Sequence, residues 1–548
     1  MNPIRVKKCN EGLVCYVVLA SLLSLVLMTN LADKGSAYTP HSPIQILGNG
    51  DFTPANGVSS GTGTAADPFI IEGWEINVTS GAGAGIQILY TDAHFIIHDS
   101  FIHGPGKMSA EKGIILQGAS NGTIQNTTLT GLETGIYTDY ANNTAIAENN
   151  MTNNFWPVRA KHSTNLTLTG NTMSDQEYGI AVLQSFKVKA TGNTIITPSQ
   201  GIFLQQTPLS LVKRNNIISF SQFSIHIYFS DNSTVIENNL TERAGIGVEH
   251  SSNIAVSNNS APIGSDSMVS AQFGGNISIT NNSVSRIACF HCWDARIADN
   301  AVSSKNYSGI SYRYSDRAVI ARNKVSNSSQ GVYLEKAVNT TIMNNTIASN
   351  GITLRGDALA EFRSHVITVD NLVNGKPVYY YRDCNGLNVD GIQLGQLIVV
   401  NCTGVGVANL LINDTDTAVQ MAYVGDVIVE KLNLTSNRGK GLFLYNVDNA
   451  VIRNNDMSGN LEKGAELLDL SNATIEGNVF SGNGEGVFAR VVDGNLSANV
   501  ASGNAEHGMS MVASRSIIRA NHADQNGYWG MALSYSANIR IEGNELSS

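Results

Sequence analysis

The sequence predicts an all-β fold, a right-handed single-stranded parallel β-helix, or solenoid, of about 22-residue coils. The first observation behind this is a beat of asparagines. Asn455, Asn478, Asn499, Asn521 and Asn544 each close an apolar-X-X-Asn phrase and step by 23, 21, 22 and 23 residues. Asn149, Asn171, Asn193 and Asn215 step by 22, and the beat resumes at Asn282, Asn300, Asn323 and Asn345. The second is a Gly-apolar pair in the same rhythm, as at Gly135-Ile136, Gly179-Ile180, Gly201-Ile202, Gly441-Leu442, Gly486-Val487 and Gly530-Met531. The third is short alternating runs such as 441–445, whose apolar side chains two apart face one way in a strand.

A single coil cannot bury its own apolar face, so coils must stack, each strand on its equivalent one coil away. Ile136, Ile180, Ile202, Leu442, Val487 and Met531 then form inward stacks. Corners between strands need left-handed backbone, which Asn and Gly adopt most readily, and stacked amides can hydrogen-bond from coil to coil. A leucine-rich repeat has a similar period, but its Leu consensus is absent.

Residues 1–37 read as a signal peptide or an N-terminal anchor. Arg5, Lys7 and Lys8 precede an apolar run from Leu13 to Met28, and Gly35-Ser36-Ala37 supplies the small residues a signal peptidase requires. The run falls short of the ~20 residues that span a bilayer. The N-terminal part of the β-helix is expected over 44–351, an interruption with hairpin-like strands over 352–400, and the C-terminal part over 401–548. The net charge of −10 and the lack of a basic run give nucleic acid no electrostatic footprint. Membrane contact is expected only through the N-terminal segment.

Four cysteines lie beyond that segment. Cys384 and Cys402 flank the interruption on two strand-like runs, and a disulfide between them is expected. Cys289-Phe290-His291-Cys292 offers thiolate and imidazole donors, a candidate soft-metal site for copper or zinc at Cys289, His291 and Cys292, set against a structural reading as a core Cys plus a turn. Alternation from Ile287 places Cys289 inward and Cys292 outward. Met509 and Met511 after His507 occupy the core positions of Val487 and Ala489, which speaks against a copper role. Sequons are dense; Asn77, Asn165, Asn276 and Asn433 are candidate glycosylation sites. Asp139, Asp231, Asp294 and Asp316 are acids that could converge in space, although corner Asp residues are usually turn formers.

Two phrases carry a family resemblance. Asp67-Pro68-Phe69-Ile70-Ile71 with Gly73-Trp74-Glu75-Ile76, and Val373-Asn374-Gly375-Lys376-Pro377-Val378-Tyr379-Tyr380-Tyr381 followed by Ile398 to Thr403, resemble archaeal NosD-like β-helix surface proteins. The resemblance implies an envelope location and a structural, adhesive or carbohydrate-binding role with polysaccharide or surface glycan as partner. The family takes its name from a copper-maturation accessory protein, so copper handling is one alternative. A polysaccharide lyase or hydrolase is the other, and Ca or Cu are the candidate ions for the chain as a whole. The catalytic phrases of polygalacturonases and alginate epimerases are absent, so the reading leans away from an enzyme.

Overall fold

The coil that starts at Thr134 shows how the sequence makes the fold. Strand Thr134–Asp139 buries Ile136, strand Ala145–Ala147 buries Ile146, and strand Asn150–Thr152 buries Met151. One coil on, Ile136 pairs with Val158, Ile146 with Leu168 and Met151 with Met173, all in parallel. The computed structural model describes residues 38–197, 199–262 and 266–547, and repeats this unit over about 22 turns with almost no helix. The expected leader at 1–37 lies outside the described residues. Among them, no helix is long and apolar enough to cross a membrane. Strands of one coil position collect into sheets of 14, 15 and 9 strands, and a 19-stranded sheet runs on to Arg540–Glu542. Val58–Ser60 departs from the rule by pairing antiparallel with Phe69–Glu72.

Of the six expected core positions, Ile136, Ile180, Ile202, Leu442 and Val487 are at most 1% exposed, and Met531, in the last coil, is half-buried. The asparagine beat is a ladder. Asn149 Nδ2 donates to Asn171 Oδ1, Asn171 to Asn193 and Asn193 to Asn215, at 2.9–3.0 Å, and the chain of amides continues to Asn371. These asparagines do not themselves hold the left-handed corner. That conformation falls on the residue before each: Glu148, Gly170, Gly192 and Arg214 have φ of 53–67°. The corner aims the next side chain inward, and a buried amide there satisfies backbone that no strand reaches. The Gly of each Gly-apolar pair has another cause. A Cβ on Gly486 would lie 2.2 Å from the Gly508 carbonyl oxygen of the next coil, so only glycine fits.

The stretch 352–400 divides in two. Ile352–Arg355, Val366–Ile367 and Leu372–Val373 still pair in parallel with the preceding coil, so residues up to 373 complete a last turn, lengthened by the helical turn Ala360–Arg363. The chain then reverses through Asn374-Gly375, and Leu372–Val373 pairs antiparallel with Lys376–Arg382. A second solenoid starts there, with Gln396–Val400, Thr417–Glu430 and Lys440–Arg453 stacked in parallel. Its first sheet is buried on both sides. Leu397, Val399 and Met421 belong to its own core, whereas Ile398, Val400 and Ala422 close the end of the first core. Gln396 takes the place of a further strand: its amide donates to Ile352 O and accepts from Ile352 N, both at 2.8 Å. Gln420 does the same for Leu354 N (3.1 Å) and Ile352 O (2.6 Å).

Candidate functional site

The corner that follows each long strand is where the exterior becomes chemically distinctive. It repeats one device: a left-handed residue turned outward, then a small polar residue turned inward. His162-Ser163, Gln184-Ser185, Gln206-Thr207, Phe229-Ser230, His250-Ser251, His291-Cys292 and Tyr314-Ser315 all follow it. Left-handed backbone costs a non-glycine residue roughly 1 kcal/mol or more. Here each such residue donates its N–H to the next coil, as His250 does to Gln272 O (2.9 Å) and Tyr314 to Glu335 O (2.8 Å).

Because the corners are in register, their side chains stack. Phe229, His250, Phe273, His291 and Tyr314 form one straight column on successive coils, with centroids 4.7, 4.9, 5.3 and 5.4 Å apart and planes within 9–30° of each other. The Lys336 ammonium lies over the far end, 5.9 Å from the Tyr314 ring. Phe229, Phe273 and Tyr314 are 38–47% exposed, a large apolar surface left in water. Beside the column, Tyr228 stands at 72° to Phe229, and Phe290 at 88° to Phe273 and 78° to His291. The column thus presents ring edges, two of them imidazole, and the crossing rings of Tyr228 and Phe290 run along it. Toward the N-terminus, beyond Gln184 and Gln206 at the same corner, Tyr140 stacks on His162 (4.6 Å), and at the start of the neighbouring strands Trp156 stacks on Tyr178 (4.0 Å) with Arg159 over Trp156 (5.5 Å).

The acids on this exterior are engaged. His162 places Nδ1 2.8 Å from Asp139 and Nε2 2.8 Å from Gln184, so both ring nitrogens are occupied. Glu335 pairs with Arg313 at 2.5 Å and Glu133 with Lys112 at 3.6 Å. His226 is half-enclosed by Phe203 and Phe223 and 3.6 Å from Glu249; burial holds its pKa below the usual imidazole range, against the opposing pull of Glu249. Of the four scattered acids, Asp294 and Asp316 meet on Arg317, Asp139 holds His162, and Asp231 accepts the Ser252 N–H (2.7 Å).

The metal candidate does not assemble. Cys289 is 1% exposed and faces the core as expected, but Cys292 also points inward, 2% exposed, and the expected outward placement is corrected. The left-handed φ of 51° at His291 breaks the strand alternation and puts Cys292 in the position held by serine in neighbouring coils. Its N–H donates to Ser315 Oγ (2.9 Å) and its thiol to Ala271 O (3.4 Å), as a ladder hydroxyl would. Mutual contact between the two thiols and burial drive the Cys289 pKa up. His291 meanwhile lies outside, between Phe273 and Tyr314. Met509 and Met511 are core residues, and His507 stacks outside on Trp529 at 5.1 Å. The sulfurs of Cys384 and Cys402 lie 2.07 Å apart, with Cα atoms 4.5 Å apart. Asn77, Asn165, Asn276 and Asn433 are all exposed, and the amides of Asn165 and Asn276 already donate to Asn143 (3.1 Å) and Asn253 (2.8 Å). The aromatic column itself escapes a reading of the sequence, because its members sit 18–23 residues apart in no common phrase. The signal that finds four of the five is the position just before a buried Ser or Cys of the corner; Phe273 is followed instead by Gly274 and is found only by its place in the beat.

The family model described as Periplasmic copper-binding protein (NosD) matches residues 69–241 and 224–360, more than half of the chain. The Right handed beta helix region matches 398–548. No curated protein matches the chain. Among solved structures, it is similar to a double mutant of the periplasmic alginate epimerase AlgG, at 13% identity over 65% of this chain and 78% of that one, TM-score 0.26. It is also similar to an exopolygalacturonase from Thermotoga maritima, at 10% identity over 56% and 85%, TM-score 0.26. A third is a mutant tailspike protein of E. coli bacteriophage HK620, at 12% identity over 66% and 69%, TM-score 0.31. Copper requires soft or imidazole donors converging on one point. The described residues do not fit it: no group of three His, Cys, Asp or Glu is placed to hold a metal, and the Cys289–Cys292 thiols and His291 lie on opposite sides of the wall.

Proposed function

This chain belongs to the NosD family of β-helix proteins, and we propose that it is an exported envelope protein whose outer aromatic strip binds an extended glycan without cleaving it. The column from Phe229 to Tyr314 with the crossing rings of Tyr228 and Phe290 carries this reading. A sugar unit of an extended chain is about as long as the ~4.8 Å step between paired strands, so a polymer lying along the strip meets an equivalent group at each coil. The rings supply apolar contact for sugar C–H groups, and the imidazole edges and the Tyr314 hydroxyl supply hydrogen bonds for its hydroxyls. Cleavage asks for an acid and a base at fixed separation with tuned pKa values, whereas the carboxylates beside the column and its corner are partnered, Asp139 with His162, Glu249 with His226 and Glu335 with Arg313. Export rests on the basic-apolar-small pattern of residues 1–37.

The test is retention on columns of neutral and uronate-rich polysaccharide, with and without Ca²⁺, together with assays for new reducing ends and for unsaturated uronate absorbance. The expected result is retention without product, reduced at least tenfold in a Phe273→Ala/Phe290→Ala chain whose melting is unchanged. New reducing ends or unsaturated uronate would overturn it in favour of a hydrolase or a lyase. Absence of retention would leave a purely structural solenoid.

A further inference from the structure

The second solenoid carries a notch made by counting. In its coils the long strand turns at one left-handed residue: Tyr423, then Asn446, then Asp469, with φ of 54–57°. In the next two coils that residue is missing. Leu467 to Leu470 spans three steps, but the paired Ala489 to Val491 spans two, and Met511 to Ala513 repeats the shorter count. In the last coil the extra residue returns: Met511 pairs with Leu533 and Ser514 with Ala537, with Tyr535 at the corner, φ 48°. Two coils therefore lack a corner that the coils on either side possess. The gap is about 10 Å along the rod, two steps of ~4.8 Å.

The cavity so formed measures about 470 Å³, within the range of small-ligand sites. Val492 and Val512, partly exposed, form its apolar floor above the core residues Val491 and Ala513. Asp448, Asp469, Asn446 and Ser471 line one wall, and Tyr535, 97% exposed, forms the other. Arg490 reaches Asp469 at 2.8 Å, and the Ser471 hydroxyl donates to Asp448. One guanidinium thus answers two carboxylates, and the notch is acidic.

We propose that this notch is a binding site for a single neutral pyranose unit. Carboxylates, a guanidinium and an amide around one cavity are donors and acceptors suited to the neighbouring hydroxyls of a sugar ring. The valine floor and the Tyr535 ring take its C–H faces. The excess carboxylate disfavours a uronate. The site lies on a different solenoid from the aromatic strip and depends on the reading above only for its class of ligand.

Tyr535→Trp places a fluorescent reporter on the wall. It is titrated in the full mature chain with methyl glucoside, methyl galactoside, methyl N-acetylglucosaminide and, for contrast, glucuronate. The expected result is a saturable change with at least one neutral glycoside at roughly millimolar Kd, the usual range for so small a ligand, and a weaker response to glucuronate. Asp448→Ala, Arg490→Ala and an asparagine inserted between Arg490 and Val491 to restore the corner should each raise the midpoint at least tenfold, with folding checked by circular dichroism. Saturation-transfer NMR on the unaltered chain with the same sugars repeats the measurement free of the reporter. No saturable signal in either experiment overturns the proposal, as does a signal that survives all three variants. The Phe273→Ala/Phe290→Ala chain should keep the notch titration whether or not it keeps polymer retention, so the two readings fail separately.

Discussion

Asn193 does the work of four backbone and side-chain partners at once. Its Nδ2 donates to Asn215 Oδ1 (2.9 Å) and Leu168 O (3.0 Å), and its Oδ1 accepts from Asn171 N (3.1 Å) and Asn171 Nδ2 (2.9 Å), all fully buried. Asn193→Ala strands several of these groups without water, at about 1–3 kcal/mol each. A loss of roughly 3–5 kcal/mol in urea unfolding is expected, and the double variant with Asn215→Ala should lose less than the sum, since both remove the same bond. Equal, additive losses would show that the ladder does not couple coils. Val487→Asp places a charge at a fully buried position, with no Lys or Arg buried among the described residues to pair it, and should cost several kcal/mol; a variant that melts like the parent would show the register to be wrong. At this scale the inward stacks were legible, because apolar identity at a fixed beat needs no geometry. The inward turn of Cys292 was not. It depends on a left-handed φ at His291, a residue whose identity announces no corner.

Elements join by side chains imitating strands. Gln396 and Gln420 hydrogen-bond the open edge of Ile352–Arg355, so Gln420→Leu leaves the Leu354 N–H without its acceptor and should cost about 1–3 kcal/mol. Hydrogen exchange should locate the loss: the Leu354 amide exchanges faster while Ile136, far along the first solenoid, keeps its protection. Uniform acceleration would mean the cap serves the whole rod. The Cys384–Cys402 link ties two neighbouring coils across a separation of 18 residues, a closure worth roughly 3 kcal/mol in the chain-entropy account. The intact chain should weigh two hydrogens less than its reduced form, and Cys384→Ser/Cys402→Ser should lower the unfolding midpoint; an unchanged mass on reduction would show free thiols. The sequence pointed to both cysteines because each lies in a strand-like run beside the break. It could not show that 352–373 still closes a coil, since the helical turn at Ala360–Arg363 stretches that coil and delays its asparagine to Asn371, 26 residues after Asn345.

The whole molecule is two solenoids meeting at a joint that holds two buried titratable groups of opposite sense. Asp416 is fully buried against Thr353, and desolvation, aided by Glu462 and opposed by Thr353 and Lys440, lifts its pKa to about 6. His365, fixed between Thr340 N (3.3 Å) and Glu361 O (2.8 Å), is pushed down to about 4 by burial, with a smaller push from Arg382. For Asp416 the folded state binds its proton more tightly than the unfolded chain, so its contribution is full below the ordinary carboxylate pKa near 3.9 and is lost as pH rises through about 6. For His365 the folded state binds the proton less tightly, so its contribution is full above about 6.5 and is lost as pH falls through about 4. Each spans about two pKa units, or roughly 3 kcal/mol, and across pH 4–6 the two slopes oppose. These two contributions should therefore nearly cancel there, leaving the native chain the rise with pH that His226, whose pKa burial also holds down, supplies. Asp416→Asn should expose the histidine slope, with stability rising from pH 4 to 6.5, and His365→Gln should expose the aspartate slope, with stability falling over pH 4–6. Urea titrations of the three proteins at half-unit pH intervals read both signs directly. Parallel curves for all three would mean that neither group titrates between the folded and unfolded states, and that the joint is held by the Gln396 and Gln420 hydrogen bonds and the packing of Phe362 against Tyr445 and Tyr423.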